Sequence, residues 1–367
     1  MPHLGWLVHE PGDLVAVYLN QGWFEYKEQA FAWLYLRDGD TVVDCGAHFG
    51  LYAVLAARAA AGCAVLAVEA NPSTIPVLQQ NLDALGLPGA RVVAKALSAK
   101  SGEISFFPAS PGRAAYSSLI PDPDAAAAVT VPAIALDDLL DETGLVRVDF
   151  LKIDVEGAEI DVLEGAARSL AGDRLPLAMV EFTEQNLARS GRGTKDLFDW
   201  IEAHGGQVCR FDPDRLQLVP CSFEEPVWYE NLFLTRDPDP VNRRLAGAPP
   251  ARLRIARELL ERGRAASDLY QRAEDAAQVV AIAKQNVEEA YQRLAEANHR
   301  TEEARNETAS VQCLLGIERA RLEELKQHLR PYLVSRYLRL GSKLKIIHEP
   351  VWLARFAAEK PEDGSGR

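Results

Sequence analysis

The sequence predicts an α/β fold, a mostly parallel sheet covered by helices on both faces, followed by a long α-helical extension. Three observations carry this. From Thr41 to about Arg236, strand-length apolar runs alternate with helix-length runs, the pattern of a parallel sheet. The first of these strands ends in Asp44 and a glycine turn, D-C-G-A-H-F-G, and an acid, Glu69, closes the next strand about twenty residues on, a spacing used by nucleotide-binding sheets. From 251 to 330 there is no proline, and a seven-residue repeat replaces the alternation.

The bulk properties narrow the function classes. At 367 residues two or three structural units are expected, and 48% apolar content allows a sizeable core. A net charge of −13 argues against a general nucleic-acid binder, which needs clustered Lys and Arg for phosphates. The five cysteines (Cys45, Cys63, Cys209, Cys221 and Cys313) are scattered, with no C-x-x-C pair, so neither a disulfide framework nor a zinc site is expected. The start, MPHLGWLVHE, lacks a basic segment followed by an apolar run, and no stretch approaches the roughly 18–20 apolar residues of a spanning helix. These features predict a cytoplasmic protein and leave contact with the inner membrane surface open.

In chain order, residues 1–40 carry two short apolar runs, then Trp23–Tyr26 and a helical stretch; they are expected to cap the sheet edge, with a substrate-contacting role as the alternative. Strands at 41–45, 64–68 and 91–96 alternate with helices at 51–61 and 73–85, the second opened by Asn71-Pro72-Ser73. Strand-like runs at 102–107 and 129–134 flank a Pro-, Ser-, Gly- and Ala-rich excursion at 108–128, either a cover for the active site or a surface insertion. The rhythm returns with a helix at 136–142, a buried strand at 150–153, a helix at 157–170, a strand at 177–182, a helix at 194–204, and closing strands at 207–211 and 231–235. Residues 237–250 are expected to be a Pro-rich linker.

Beyond it, a heptad frame with a at 266, 273 and onward to 329 places Val280, Val287, Leu294, Leu315, Leu322 and Leu329 at a, and mostly Ala at d. That predicts a coiled coil over 251–330, weak in its middle, and so self-association or partner binding; a lone helix braced by charge pairs is the alternative. As one helix, 266–329 would span roughly 95 Å at 1.5 Å per residue. Residues 331–349 reverse the local charge, with Arg336, Arg339, Lys343 and Lys345 beside Leu333, Tyr337, Leu340 and Leu344 at helical spacing. Such a segment suits an anionic membrane surface or a protein partner. Residues 359–367 carry no pattern of a packed element.

The chemistry concentrates in two stretches. A pyrophosphate would be repelled by Asp44, whereas a ligand with a positive amino acid group would be attracted, which favours S-adenosylmethionine over a dinucleotide. Asp44, Gly46, His48 and Gly50 would admit its amino acid part and ribose. Glu69, with Ala70 and Asn71 behind it, would hold the ribose hydroxyls, and Ala96 and Leu97 sit where the adenine border belongs. Asp44 could equally satisfy backbone donors of the turn. The second stretch, FLKIDVEGAE, is a buried strand ending in acids. There Asp154 or Glu156 could take a proton from a substrate hydroxyl, Glu159 could cap the following helix, and Glu181 ends the neighbouring strand. Paired acids on adjacent strand ends could instead hold Mg²⁺ or order the cofactor without a metal; direct base or orienting roles are favoured.

GDTVVDCGAHFGLYA, VEANP, KALSAKSGEISF, VPAIALDDLL and DFLKIDVEGAEIDVLEGAARSL resemble, in order, the motifs of the FkbM-type methyltransferases over about residues 20–236. The resemblance implies a Rossmann-like, seven-stranded class I methyltransferase sheet and O-methylation, often of a sugar hydroxyl. His48 stands where the family commonly has Asn; both can donate a hydrogen bond to the cofactor. The acceptor expected on this basis is a surface glycan or its lipid-linked precursor, with a small natural product as one alternative and a scaffold role centred on the helical extension as another.

Overall fold

The computed structural model describes residues 7, 9, 14–87, 89–109, 117–120, 127–299 and 305–333. They fall into two units, 1–263 and 264–367.

In the first unit, helices α1 (Leu14–Gln21) and α2 (Tyr26–Tyr35) precede β1 (Thr41–Cys45), α3 (Leu51–Ala59), β2 (Ala64–Val68), α4 (Ile75–Ala84) and β3 (Ala90–Val93). The run 91–96 is divided. Its end belongs to β4 (Ala96–Leu97), which with β5 (Gly102–Phe106) and β6 (Val129–Ile134) makes a separate sheet in the order β4-β6-β5. There follow α5 (Leu136–Thr143), β7 (Phe150–Ile153), α6 (Glu159–Glu164), α7 (Ala167–Ala171), β8 (Ala178–Phe182), α8 (Glu184–Arg189), α9 (Thr194–Ala203), β9 (Gln207–Asp212), β10 (Gln217–Pro220) and β11 (Glu230–Thr235). The single helix expected at 157–170 is two short ones. At the break, a Cβ on Gly165 would lie 2.2 Å from the Ser98 carbonyl oxygen, so the second sheet packs against backbone there.

The main sheet has the order β10-β9-β11-β8-β7-β1-β2-β3, with β3, β2, β1, β7 and β8 parallel and β11 antiparallel to both its neighbours. The sheet has eight strands where seven were expected; the additional one is β10, the hairpin partner of β9, with Leu218 facing Phe211. Strand order reverses between β1 and β7, and in open α/β sheets the crevice at the carboxyl ends of such strands is where ligands bind.

Alternate residues on each strand feed two cores. Val42, Val65, Phe150, Met179 and Phe233 face α2, α3 and α10 (Pro238–Ala246), and Val43, Leu66, Leu151, Val180 and Leu232 face the helices between β6 and β9. Two expectations are corrected here. The N-terminal helical stretch does not cap an edge: α2 lies on a face of the sheet, with Phe31 fully buried and its ring 4.1 Å from that of Phe233 and 5.4 Å from that of Phe211. Nor is 237–250 a linker. Asp237 accepts a hydrogen bond from the Asp239 N–H at the start of α10, proline sits in the first turn where its missing N–H costs nothing, and Val241 and Leu245 are buried. The first turns of α11 (Pro250–His299) continue this unit, burying Ala256, Leu259 and Leu260.

The second unit contains the rest of α11 and α12 (Arg305–Leu333). The Arg319 guanidinium lies 4.9 Å from the centre of the Tyr291 ring. On one straight helix those residues would stand roughly 42 Å apart at 1.5 Å per residue, so the chain folds back and the continuous rod over 266–329 is corrected to two helices. Among the described side chains of this unit, the buried apolar ones are Val280 and Leu315 at a and Ala283 at d. Among the described residues no helix is long and apolar enough to cross a membrane. The basic segment expected at 331–349 lies, from 334 on, outside the described residues.

Candidate active site

Asp44 leaves β1 fully buried. One carboxylate oxygen, Oδ2, accepts the Ala53 N–H at 3.0 Å in the first turn of α3, while Oδ1 is buried with no hydrogen-bond partner. The side chain thus satisfies a backbone donor, one of the two roles expected for it, and keeps one acceptor oxygen unpartnered. Burial pushes its pKa up to about 6, against the pull of Lys152. Gly46 has φ +79°, and a Cβ there would sit 1.8 Å from the Asp154 carbonyl oxygen, so the turn passes directly against the end of β7. His48 is left-handed at φ 49°, and Gly50 caps α3.

Glu69 ends β2 and ties this turn together. Oε2 accepts the His48 N–H at 2.8 Å and Oε1 the Asn71 N–H at 2.7 Å. Each oxygen retains acceptor capacity. Burial raises the pKa of Glu69, and these two N–H groups oppose the rise. Ala70 follows at the strand end, and Asn71 accepts the Ser73 N–H and hydroxyl, starting the turn into α4. Ala96 and Leu97 are buried, with β4 paired to β6 at Ala133 and Ile134.

The second set of acids stands on the same sheet edge. Asp154 follows β7 and bonds Lys152 Nζ at 2.7 Å. Glu156, at φ 57°, receives the Asn186 amide at 2.5 Å and has the Arg189 guanidinium 3.8 Å from the same oxygen. Glu181 ends β8, 3.5 Å from the same Asn186 amide. Burial first, then the neighbouring Asp154 charge, holds Glu156 and Glu181 well above the usual carboxylate range. Glu159 takes the structural role: Oε1 accepts the N–H groups of Gly157 and Val155 and closes the turn before α6. Ligand atoms from Asp154, Glu156 and Glu181 lie within 4.8 Å of one another, close enough for a cation. Lys152 and the Asn186 amide already serve all three, an arrangement suited to carboxylates working without a metal.

Several participants carried no local signal. Glu25, at the start of α2 with φ 44°, accepts the Asn231 amide at 2.8 Å and the Tyr229 hydroxyl at 3.2 Å through Oε1. Burial raises its pKa and Lys152 opposes that. Lys152 is buried, with Nζ 4.9 Å from the Tyr52 ring centre. Burial alone would lower its pKa, but Asp154, Glu25 and Asp44 more than reverse this and keep it charged. The excursion also reaches the site. Asn71 donates to the Ser117 hydroxyl at 3.2 Å and the Ser118 hydroxyl donates to the Glu156 carbonyl at 2.7 Å, so residues 117–118 bridge the two acid sets. Among the described residues four non-glycines have positive φ, and three of them, Glu25, His48 and Glu156, are in this site. Strained backbone of this kind concentrates where function demands it.

Comparison with known proteins follows the same lines. Residues 44–208 match the family described as the methyltransferase FkbM domain. The methyltransferase sdnD of Sordaria araneosa is 32% identical, with 34% of this chain and 59% of the relative covered. The hexuronic acid methyltransferase AglP of Haloferax volcanii is 31% identical, with 36% and 53% covered. This chain thus spans little more than half the length of these curated relatives. Similar solved structures include a precorrin-6y C5,15-methyltransferase of Geobacter metallireducens (14% identity, 58% and 89% covered, TM-score 0.34). Another is a SAM-dependent O-methyltransferase of Thermotoga maritima (15%, 57% and 64%, TM-score 0.32).

Proposed function

We propose, on the match of residues 44–208 to the methyltransferase FkbM domain, that the chain is an S-adenosylmethionine-dependent O-methyltransferase acting on a sugar hydroxyl of a surface glycan or its lipid-linked precursor. The observation that carries this reading is the meeting of two acid sets, Asp44 with Glu69 and Asp154 with Glu156 and Glu181, on one carboxyl edge at the point where strand order reverses.

The residues fit the cofactor. Asp44, through its buried, unpartnered Oδ1, would hold the ammonium group, and Glu69, oriented by the His48 and Asn71 N–H groups, would hold the ribose hydroxyls at its remaining acceptor positions. When bound, S-adenosylmethionine supplies a methyl group activated on a positive sulfur. The chain's own part is chiefly to hold the acceptor oxygen in line, the kind of positioning that accounts for much of a bimolecular barrier. Glu156 takes the hydroxyl proton onto its carboxylate, which burial makes a stronger proton acceptor than an exposed one. Lys152 aims Asp154 through the 2.7 Å contact of its Nζ, and Glu181 completes the cluster of acids. The sugar acceptor draws support from the printed name of the Haloferax relative, a hexuronic acid methyltransferase. The second unit is assigned to self-association or partner binding, supported by the exposed apolar side chains of Val279, Ile282, Leu314 and Ile317, and 331–349 to an anionic membrane surface or a protein partner.

Calorimetry with S-adenosylhomocysteine, and mass spectrometry of surface glycans from cells with and without the protein, test the proposal. Binding, and loss of a methyl group restored by the wild-type chain but not by Glu156→Gln or Asp154→Asn, are expected. Absence of binding by folded protein overturns the cofactor assignment, and unchanged glycans overturn the acceptor.

A further inference from the structure

Tryptophan is seldom left in water, because its large apolar area gains on being covered. Trp228 is nonetheless 78% exposed, and the adjoining Tyr229 is 54% exposed. Neither is an isolated surface residue. Val227 is held at the carboxyl end of β8 by accepting the Glu184 N–H at 2.9 Å, and Glu230 pairs with Phe182 in the register of β11 on β8. The two aromatics therefore stand on the rim of the crevice, between those anchors. The Tyr229 hydroxyl turns inward to Glu25 Oε1, so one edge of this ring is committed to the site while the rest meets solvent.

Beneath the rim are two acceptors in need of donors. Asn231 Oδ1 and Glu25 Oε2 are buried outside any well-formed hydrogen bond, although the Tyr52 hydroxyl stands beside Glu25 as a donor, and Asn231 itself is 4% exposed. Unpaired buried acceptors are costly and uncommon, so a ligand that brings hydroxyl hydrogens to them is strongly favoured. A pyranose has this pair of properties. One face of the ring presents C–H hydrogens, which suit the negative face of an indole, and its rim presents hydroxyl donors. An apolar peptide would cover Trp228 but leave the acceptors unpaired.

We infer that Trp228 and Tyr229 form the acceptor subsite of this enzyme, a stacking platform for a neutral pyranose ring whose hydroxyls donate to Glu25 and Asn231. The inference rests on the methyltransferase reading and adds the class of acceptor and the residues that select it.

The test uses full-length protein saturated with S-adenosylhomocysteine and a panel of methyl pyranosides of glucose, galactose, mannose and rhamnose, followed by saturation-transfer NMR. At least one neutral pyranoside is expected to bind, with Trp228→Ala weakening it tenfold or more and Trp228→Phe restoring most of the loss. The affinity for S-adenosylhomocysteine should stay within twofold in both variants, since Trp228 is exposed and bears on neither Asp44 nor Glu69. If S-adenosylhomocysteine binds and no pyranoside does, or if Trp228→Ala binds sugar like the wild type, the platform is wrong while the methyltransferase reading stands. If S-adenosylhomocysteine fails to bind, both fall.

Discussion

Lys152 is the cation about which the acids of the site are arranged, and Lys152→Met removes its charge while keeping most of its volume. In the native protein its Nζ bonds Asp154 at 2.7 Å, with the Lys152 and Asp154 side chains only 6% and 23% exposed. It also opposes the upward pull of burial on Asp44, Glu25, Glu156 and Glu181. Removing one partner of a buried pair costs about 3–5 kcal/mol. Asp154 retains some solvent, so about 2–3 kcal/mol is expected here, which for a unit of this size lowers the melting midpoint by about 4–12 °C. The pH dependence follows from the acids. Lys152 has a raised pKa and stays charged throughout pH 5–8, so its own ionisation adds no pH dependence there. In the variant, acidification neutralises the carboxylates left without a counter-charge, and the deficit shrinks. Thermal unfolding followed by near-ultraviolet circular dichroism at pH 8 and pH 5.5 measures both. A midpoint within 1 °C of wild type at pH 8, or a deficit that grows on acidification, would refute this account.

Other expectations follow from single residues. Glu69→Gln must turn an amide N–H toward either the His48 or the Asn71 N–H, leaving a buried donor unpaired at about 1–3 kcal/mol; calorimetry should find S-adenosylhomocysteine bound about 5- to 100-fold more weakly, and a change below twofold would dissociate Glu69 from the cofactor. Gly39 and Gly46 have nearly the same φ, +81° and +79°, but a Cβ meets nothing within 4 Å at Gly39 and the Asp154 carbonyl at 1.8 Å at Gly46. Gly39→Ala should therefore lose only the ~1 kcal/mol of left-handed strain, whereas Gly46→Ala should yield no folded protein; soluble yields and melting midpoints compare them, and equal behaviour would contradict the close approach. Asp44 and Glu159 have folded pKa values raised by burial to about 6 and about 7, so the native state holds more protons than the unfolded chain between roughly pH 4 and 7. Their contribution to stability is thus lost as pH rises through that window. Asp44→Asn should flatten the decline in midpoint between pH 5 and 7.5, and a slope equal to that of the wild type would remove Asp44 from it.

The parts of the site legible in the sequence are those whose geometry is local. A strand, a turn and a second strand brought Asp44 and Glu69 together within a short stretch, and acids following β7 and β8 were bound to meet once the strands paired in parallel. Glu25 and Asn231 are 206 positions apart, and their contact depends on β11 lying between β8 and β9, which no periodicity reveals. The burial of Lys152 is likewise a tertiary matter, since a lysine on an otherwise apolar strand announces nothing about its counter-charges. The α10 helix is a different case. Its signal was present, because an aspartate cap followed by proline is a helix start, but a proline-rich composition suggested a linker and prevailed. The fold-back of the second unit left only a faint signal, the weak middle of a heptad frame that otherwise continues over 251–330 as it would along a single helix.

The placement of β11 also bears on synthesis. Glu25 is made early, but the strand that supplies Asn231 is the last of the main sheet, and it enters an interior position after β9 and β10 have been translated. A ribosome-bound chain carrying every motif through Glu181 would still have a gap in its sheet and a carboxylate at residue 25 without its amide partner. Chains release fold-competent units as they emerge, and here that unit is not complete until about residue 235. Nascent or prematurely terminated products would therefore hold all the recognisable motifs and yet leave Glu25 without Asn231, so the proposed methyl transfer would await completion of the sheet.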